Sequence, residues 1–360
     1  MWKENWADSK QHFNDWWERK GLVVGMWGAP PFEAGGAHEN VPKPPDAATT
    51  ALFYTEADSR ALRSHYRLSR CQFPADTLPV ADTDIGPGSL ALFCGSEPGF
   101  SRDTVWFEPC WMECAHPEKL PPLRFDHTNP WWKLTAATLR RCAQLGRGKY
   151  MVGCPDLVEN IDILAALRDP QTLMMDMVER PAWVEEKVRE INDVWFEAYR
   201  RIYEIIELED GSSAFGPFRV WGMGKTAKLQ CDASAMFSPD MFNRFVVPCL
   251  AEQCEWLDHS LYHLDGTQAM GHLDALLCID ALDAIEWTPQ AGIETNDHPR
   301  WFSMYRRILE AGKCVQVPAV RSDRIVRVLD AIGGRGVYIM TDFASAREAE
   351  EIMAKVEQFR

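Results

Sequence analysis

"CVQVPAVRSDRIVRVLDAIGGRGVYIMTDF", residues 314–343, is the stretch that decides the fold class. Its opening run, 314–319, is apolar, partly β-branched and of strand length. From Ser322 to Ile332 the apolar spacing becomes helical, and Gly333-Gly334 stops the helix. A second apolar run, 336–341, follows at once. Strand, helix and strand in about thirty residues make a βαβ unit, with two parallel strands side by side and a helix over them.

The same alternation runs backwards through the chain. Strands are expected at 149–154, within 218–232, at 259–264 and at 283–287, with helical stretches between them. The helix over roughly 182–208 carries Val184, Val188, Ile191, Trp195, Tyr199, Ile202 and Ile206 on one stripe. Ser238 and Pro239 open the next helix as cap and first residue. Further helices are expected near 268–278 and near 299–311, the latter ending at Gly312, and Ser345 with Glu348 forms a capping box before the last one. "GLVVGM" (21–26) and "LPVADTD" (78–84) supply the first two strands. Eight strands with helices between them form a (β/α)8 TIM barrel, here a single domain over 1–360. The Pro- and Gly-rich part of 1–145 holds helical and loop insertions, and 146–360 holds the regular βα units. The alternative, an open doubly wound sheet, commonly carries GxGxxG after its first strand, and "GMWGAPPFEAGG" lacks it.

Composition narrows the function classes. A net charge of −15 argues against nucleic acid and anionic membrane as partners, because both need clustered Lys and Arg. The amino-terminal segment is charged and lacks a signal peptide's apolar core, and no window reaches the roughly 18 apolar residues of a membrane span. The 11 cysteines are scattered without a CxxC pair, which reads as reduced thiols in a cytoplasmic protein.

A TIM barrel builds its active site at the carboxyl ends of its strands. Those ends carry Asp82 and Asp84, Cys154 and Asp156, Cys231 and Asp232, His263 and Asp265, Glu286, Gln316, and Thr341 with Asp342. A single strand-end Asp is commonly a helix cap, but the repetition points to a polar, anionic site. His263 and Asp265, two apart on a strand, face the same way, and Gly266 lets the backbone turn behind them. They read as a metal pair, a metal-free acid/base pair or a structural plug.

The ordered set "SPDMFNRFVVPCLAEQCEWLDHSLYHLDG" and "DALDAIEWTPQAG" resembles the uroporphyrinogen decarboxylase superfamily over roughly 149–345, with a looser likeness in "FPADTLPVADTDIGPGSLALFCG". That superfamily includes the decarboxylase, the methylcobamide:coenzyme M methyltransferases and cobalamin-independent methionine synthase. The methyltransferase branches hold zinc through His-x-Cys, sometimes a Glu, and a later Cys. His263 stands at the His position and Glu286 at the Glu position, whereas Asp265 replaces the first Cys and Thr341-Asp342 stands where the second would be. The arginine-rich segment that serves the decarboxylase's polycarboxylate substrate is missing from "GLVVGMWGAPPFE", which excludes uroporphyrinogen.

The resemblance implies metal-assisted methyl transfer between a small methylated donor and a corrinoid. The expected ligands to zinc or another divalent ion are His263, Asp265, Glu286 and Asp342. His263, Asp265 and Asp232 are the expected catalytic groups, and Asp84, Asp156, Cys231, Trp287 and Gln316 the expected substrate contacts. Hard ligands suit an oxygen leaving group, so an O-methyl donor is favoured. The corrinoid-binding DxHxxG signature is absent, so a corrinoid must arrive free or on a carrier protein. Two other classes stay open. One is a lyase of decarboxylase type, which needs a cation from Arg124, Arg140 or Lys225; the other is a degenerate ligand-binding relative.

Overall fold

The computed structural model describes residues 1–33, 35–102 and 104–360. Among the described residues twelve strands follow in chain order. They are β1 (Leu22–Gly25), β2 (Val80–Ala81), β3 (Glu97–Phe100), β4 (Val105–Glu108), β5 (Met151–Cys154) and β6 (Ser212–Phe215). Then come β7 (Val220–Met223), β8 (Thr226–Gln230), β9 (His259–Asp265), β10 (Ala284–Thr288), β11 (Cys314–Arg321) and β12 (Val337–Asp342).

Six of them form a parallel sheet in the order β1-β12-β11-β10-β9-β8. A second sheet runs β2-β5-β6-β7, parallel except for the antiparallel β6–β7 pair. β3 and β4 make a separate hairpin. The protein is thus mixed α/β with a central parallel sheet. The two sheets meet at both flanks. Val24 of β1 exchanges bonds with Asp76, whose N–H donates to the Val24 carbonyl and whose carboxylate accepts from the Val24 N–H. At the other flank Ser213 of β6 bridges to Gly224 and to the Thr226 N–H of β8.

The strands' residue types explain this burial. β1, β5 and β6 are buried throughout, as strands covered on both faces must be. The stripe read over 182–208 is the inward face of the helix Pro181–Ile206, and all seven of its residues are buried. Three expectations change. The helix opened by Ser238 and Pro239 breaks at Val246, because Pro248 cannot continue it. The helix expected near 268–278 is instead two short turns of helix, Gly266–Ala269 and Leu273–Leu277, joined by a 3-10 turn. And β6, which no apolar run announces, is a strand, with β7 antiparallel to it.

The helix Trp6–Trp17 closes one end of the molecule. Trp16 donates to the Gly336 carbonyl just before β12, its own carbonyl accepts from Cys314 at the start of β11, and Trp17 stacks on His259 at the start of β9. All three contacts lie at amino ends of strands. The carboxyl ends, at the opposite end, are left for the site. Among the described residues no helix is long and apolar enough to cross a membrane.

Candidate active site

Parallel pairing sets Gln230, His263, Glu286 and Gln316 side by side across β8, β9, β10 and β11. One row of the sheet therefore carries an amide, an imidazole, a carboxylate and a second amide toward the same face. Alternation brings Thr288 and Asp265 to that face one step further along, and Asp232 follows Gln230 off the end of β8.

Asp232, His263 and Asp265 each offer a ligand atom, and the three atoms lie within 4.8 Å of one another. His263 Nδ1 is bonded to Glu286 Oε2, and Thr288 Oγ1 donates to Glu286 Oε1 at 2.7 Å. Glu286 is wholly buried behind the imidazole. Burial opposes a charged His263, but the adjoining Glu286 carboxylate outweighs it and raises the imidazole's pKa. The Phe218 ring lies 4.9 Å from the imidazole, and its backbone carbonyl is fixed by a 2.9 Å bond from Gln316 Nε2.

Asp232 is placed by two clamps. Asp162 accepts from the Asp232 and Ala233 N–H groups at 2.8 and 2.9 Å. Burial, then the nearby Asp232 charge, push Asp162 up to about 7. Gln230 Nε2 donates to Asp232 Oδ2 at 2.8 Å, and its oxygen receives the Lys228 ammonium. Lys228, its side chain without solvent exposure, also bonds Asp156 Oδ2 at 2.6 Å. Asp156 in turn donates its N–H to the Asp84 carboxylate at 3.1 Å. Burial first, then the Asp156 charge, raise Asp84 well above the usual carboxylate range.

A cavity of about 590 Å3 opens beside this cluster. Gln230, Asp232 and Asp162 form its polar edge, and Phe107, Val158 and Met236 are among its apolar walls. Val158 has φ +54°, a left-handed backbone that a β-branched residue adopts at a cost of about 1–3 kcal/mol.

The expected site residues fall into two groups. His263, Asp265 and Asp232 come together, with Asp84 and Asp156 one shell behind. Glu286 supports His263 through Nδ1 and lies outside the group of three converging ligand atoms. Asp342 also lies outside it, paired in register with Arg321 at the end of β12. Trp287 is turned by strand alternation to the other face, where it is fully buried against Trp301 at 5.1 Å, so it does not line the cavity. Cys231 is likewise buried on the far side of its strand end, and burial followed by Asp162 and Glu159 raises its thiol pKa. Gln316 is buried behind Phe218.

Of the three cations a lyase could draw on, Lys225 pairs with Asp258 at the amino end of β8, while Arg124 and Arg140 are exposed. The cation in the site is Lys228. The signal for it is the alternation Thr226, Lys228, Gln230, Asp232, which sends four polar side chains to one face of an otherwise buried strand.

No protein-family model matches the chain, and no curated protein matches it. Among solved structures, one described as a methyltransferase from Methanosarcina mazei aligns with 98% of this chain and 98% of its own, at a TM-score of 0.60 and 10% sequence identity. What this chain shares with that enzyme is its fold.

Proposed function

We propose that the protein is a methyltransferase that uses a divalent metal, zinc by the resemblance, to move a methyl group from a small O-methyl donor to a corrinoid. The observation that carries this reading is the convergence of Asp232, His263 and Asp265 within 4.8 Å at the carboxyl ends of β8 and β9. The methyltransferase described from Methanosarcina mazei, alike over the full length, favours the same chemistry. We further infer that the two sheets, joined through Asp76 at one flank and Ser213 at the other, close into one (β/α)8 barrel that forms a single domain.

The donor set fits a divalent ion. Two carboxylates and one imidazole leave a tetrahedral position open, and the Glu286–His263 pair is the carboxylate–histidine arrangement that orients a metal-binding imidazole. Asp232 takes the ligand role that the sequence assigned to Glu286 and Asp342. Asp232, His263 and Asp265 would hold such an ion, and it would supply Lewis-acid stabilisation to the departing oxygen of the donor. Glu286 keeps the Nδ1 edge of His263 occupied, so Nε2 is the nitrogen that would hold the ion. Gln230 holds the Asp232 carboxylate through Oδ2 and so fixes how it is turned. The cavity beside Asp232 receives the donor against its apolar walls. The corrinoid arrives free or on a carrier protein.

A second reading, proton transfer by the His263–Glu286 pair without a metal, is favoured by the complete burial of Glu286. Elemental analysis separates the two. The metal reading expects about one equivalent of zinc in the purified protein, lost in His263→Ala and retained in Glu286→Gln with about 10–100-fold weaker affinity. Protein that stays metal-free after incubation with zinc refutes it and leaves the proton-transfer reading.

A further inference from the structure

The cavity beside Asp232 has a charge pattern that the metal does not account for. Its polar lining is three carboxylates and one amide: Asp162, Asp169, Asp232 and Gln230. Among the described residues no Lys, Arg or His lines it. The nearby cation, Lys228, is fully buried and already committed to Asp156 and Gln230, so it is not offered to a ligand.

A divalent ion does not change this balance. The carboxylates of Asp232 and Asp265 offset its two charges, and among the described residues the rest of the charged lining is acidic, Asp162 and Asp169, with no further cation. An anionic group entering the cavity would meet the acidic side chains of Asp169 and Asp232 and would find no Lys, Arg or His side chain to pair with. Exclusion of that kind is how a site discriminates against a ligand of similar shape. The volume of about 590 Å3 accommodates an aryl ring with its substituents.

We infer that this pocket selects its methyl donor by charge, taking uncharged or cationic methyl ethers and excluding those that bear a carboxylate, sulfonate or phosphate. The inference rests on the cavity being the donor pocket of the site proposed above.

Three probes of one shape test it: 4-methoxybenzyl alcohol, 4-methoxybenzylammonium and 4-methoxybenzoate, titrated calorimetrically into the purified full chain. The alcohol and the ammonium are expected to bind at least about tenfold more tightly than the benzoate, a difference of about 1.4 kcal/mol. Ala166→Lys, which adds a cation to the cavity wall, is expected to narrow or invert that preference. Benzoate binding as tightly as the alcohol, no binding by any of the three, or a ranking untouched by Ala166→Lys overturns the inference. Metal content measured on the same samples keeps the two claims apart. Metal-free protein that still ranks the probes this way refutes the metal site alone; metal-bearing protein that prefers benzoate refutes charge selection alone.

Discussion

At the scale of single residues, Lys228 is the side chain on which the site's geometry turns. Its ammonium must face the oxygen of the Gln230 amide, so the amide nitrogen must face Asp232. The chain Asp156–Lys228–Gln230–Asp232 therefore fixes how the Asp232 carboxylate is turned. Lys228→Met leaves Asp156 buried without its counterion and lets the Gln230 amide turn. We expect a loss of about 3–5 kcal/mol of stability by urea denaturation, and metal affinity about 10–100-fold weaker. In the double variant Lys228→Met/Asp156→Leu most of the stability should return, because no buried charge is left unpaired. The metal affinity should not return, because Gln230 is still unoriented. Recovery of both would mean that Lys228 is only a structural counterion. The strand-end acids were legible in the sequence because alternation exposes them on one face; Lys228 was not, because a lysine inside a short strand reads as its solvated edge. Only the pairing of β8 with β9 shows that this edge faces inward.

At the scale of elements, the contact between β5 and β6 depends on two glycines facing each other. A Cβ added at Gly153 would meet the Gly216 Cα at 2.5 Å, and backbone cannot step aside as a flexible side chain can. Gly153→Ala should cost about 1–3 kcal/mol in urea denaturation. Gly28→Ala, where nothing lies within 4 Å, should stay within about 0.5 kcal/mol. Equal effects would show that β5 and β6 do not approach this closely. The same strand pair marks where the sequence stopped being informative. β6 is Ser-Ser-Ala-Phe between Gly211 and Gly216, with no β-branched residue, so tertiary burial rather than local propensity makes it a strand. β9 to β12 and the helix Pro181–Ile206 were legible, because apolar runs and a helical stripe announce buried strands and a one-sided helix. The β11–β12 ladder shifts register between Val317 and Val320, where Pro318 has no N–H to donate and Ala319 takes φ +53°.

At the scale of the whole molecule, a buried carboxylate and a half-buried imidazole support the proposed barrel and respond to acid in different windows. Asp76 stands where a ladder partner would join β1 to β2. Its carboxylate accepts from the Val24 N–H, Ser9 and Arg360 at 2.9–3.0 Å, and pairs with His12 at 2.7 Å. Burial works to raise its pKa, but those hydrogen bonds and charges win and lower it. A carboxyl held low in the folded state contributes stability above its ordinary value of 3.8, and the contribution is lost as pH falls through the lower folded value. His259, stacked on Trp17 at the other end of the strands, behaves differently: burial lowers its pKa from 6.5 to about 4. Its neutral form is the one the fold prefers, so its contribution is complete above pH 6.5 and is lost as pH falls toward about 4. Chemical denaturation at a series of pH values should therefore show two separate declines. His259→Phe keeps the ring stack and should flatten the decline between pH 6.5 and 4 while leaving the lower one in place. Asp76→Asn should cost about 3 kcal/mol or more near neutrality and flatten the lower decline. Native-state hydrogen exchange adds the spatial test. With Asp76→Asn, the Val24 amide should exchange faster while the amides of β10 and β11 keep their protection, because only the β1–β2 flank is opened. A uniform rise across all strands would mean that Asp76 supports the fold globally and is not the seam at which the barrel closes.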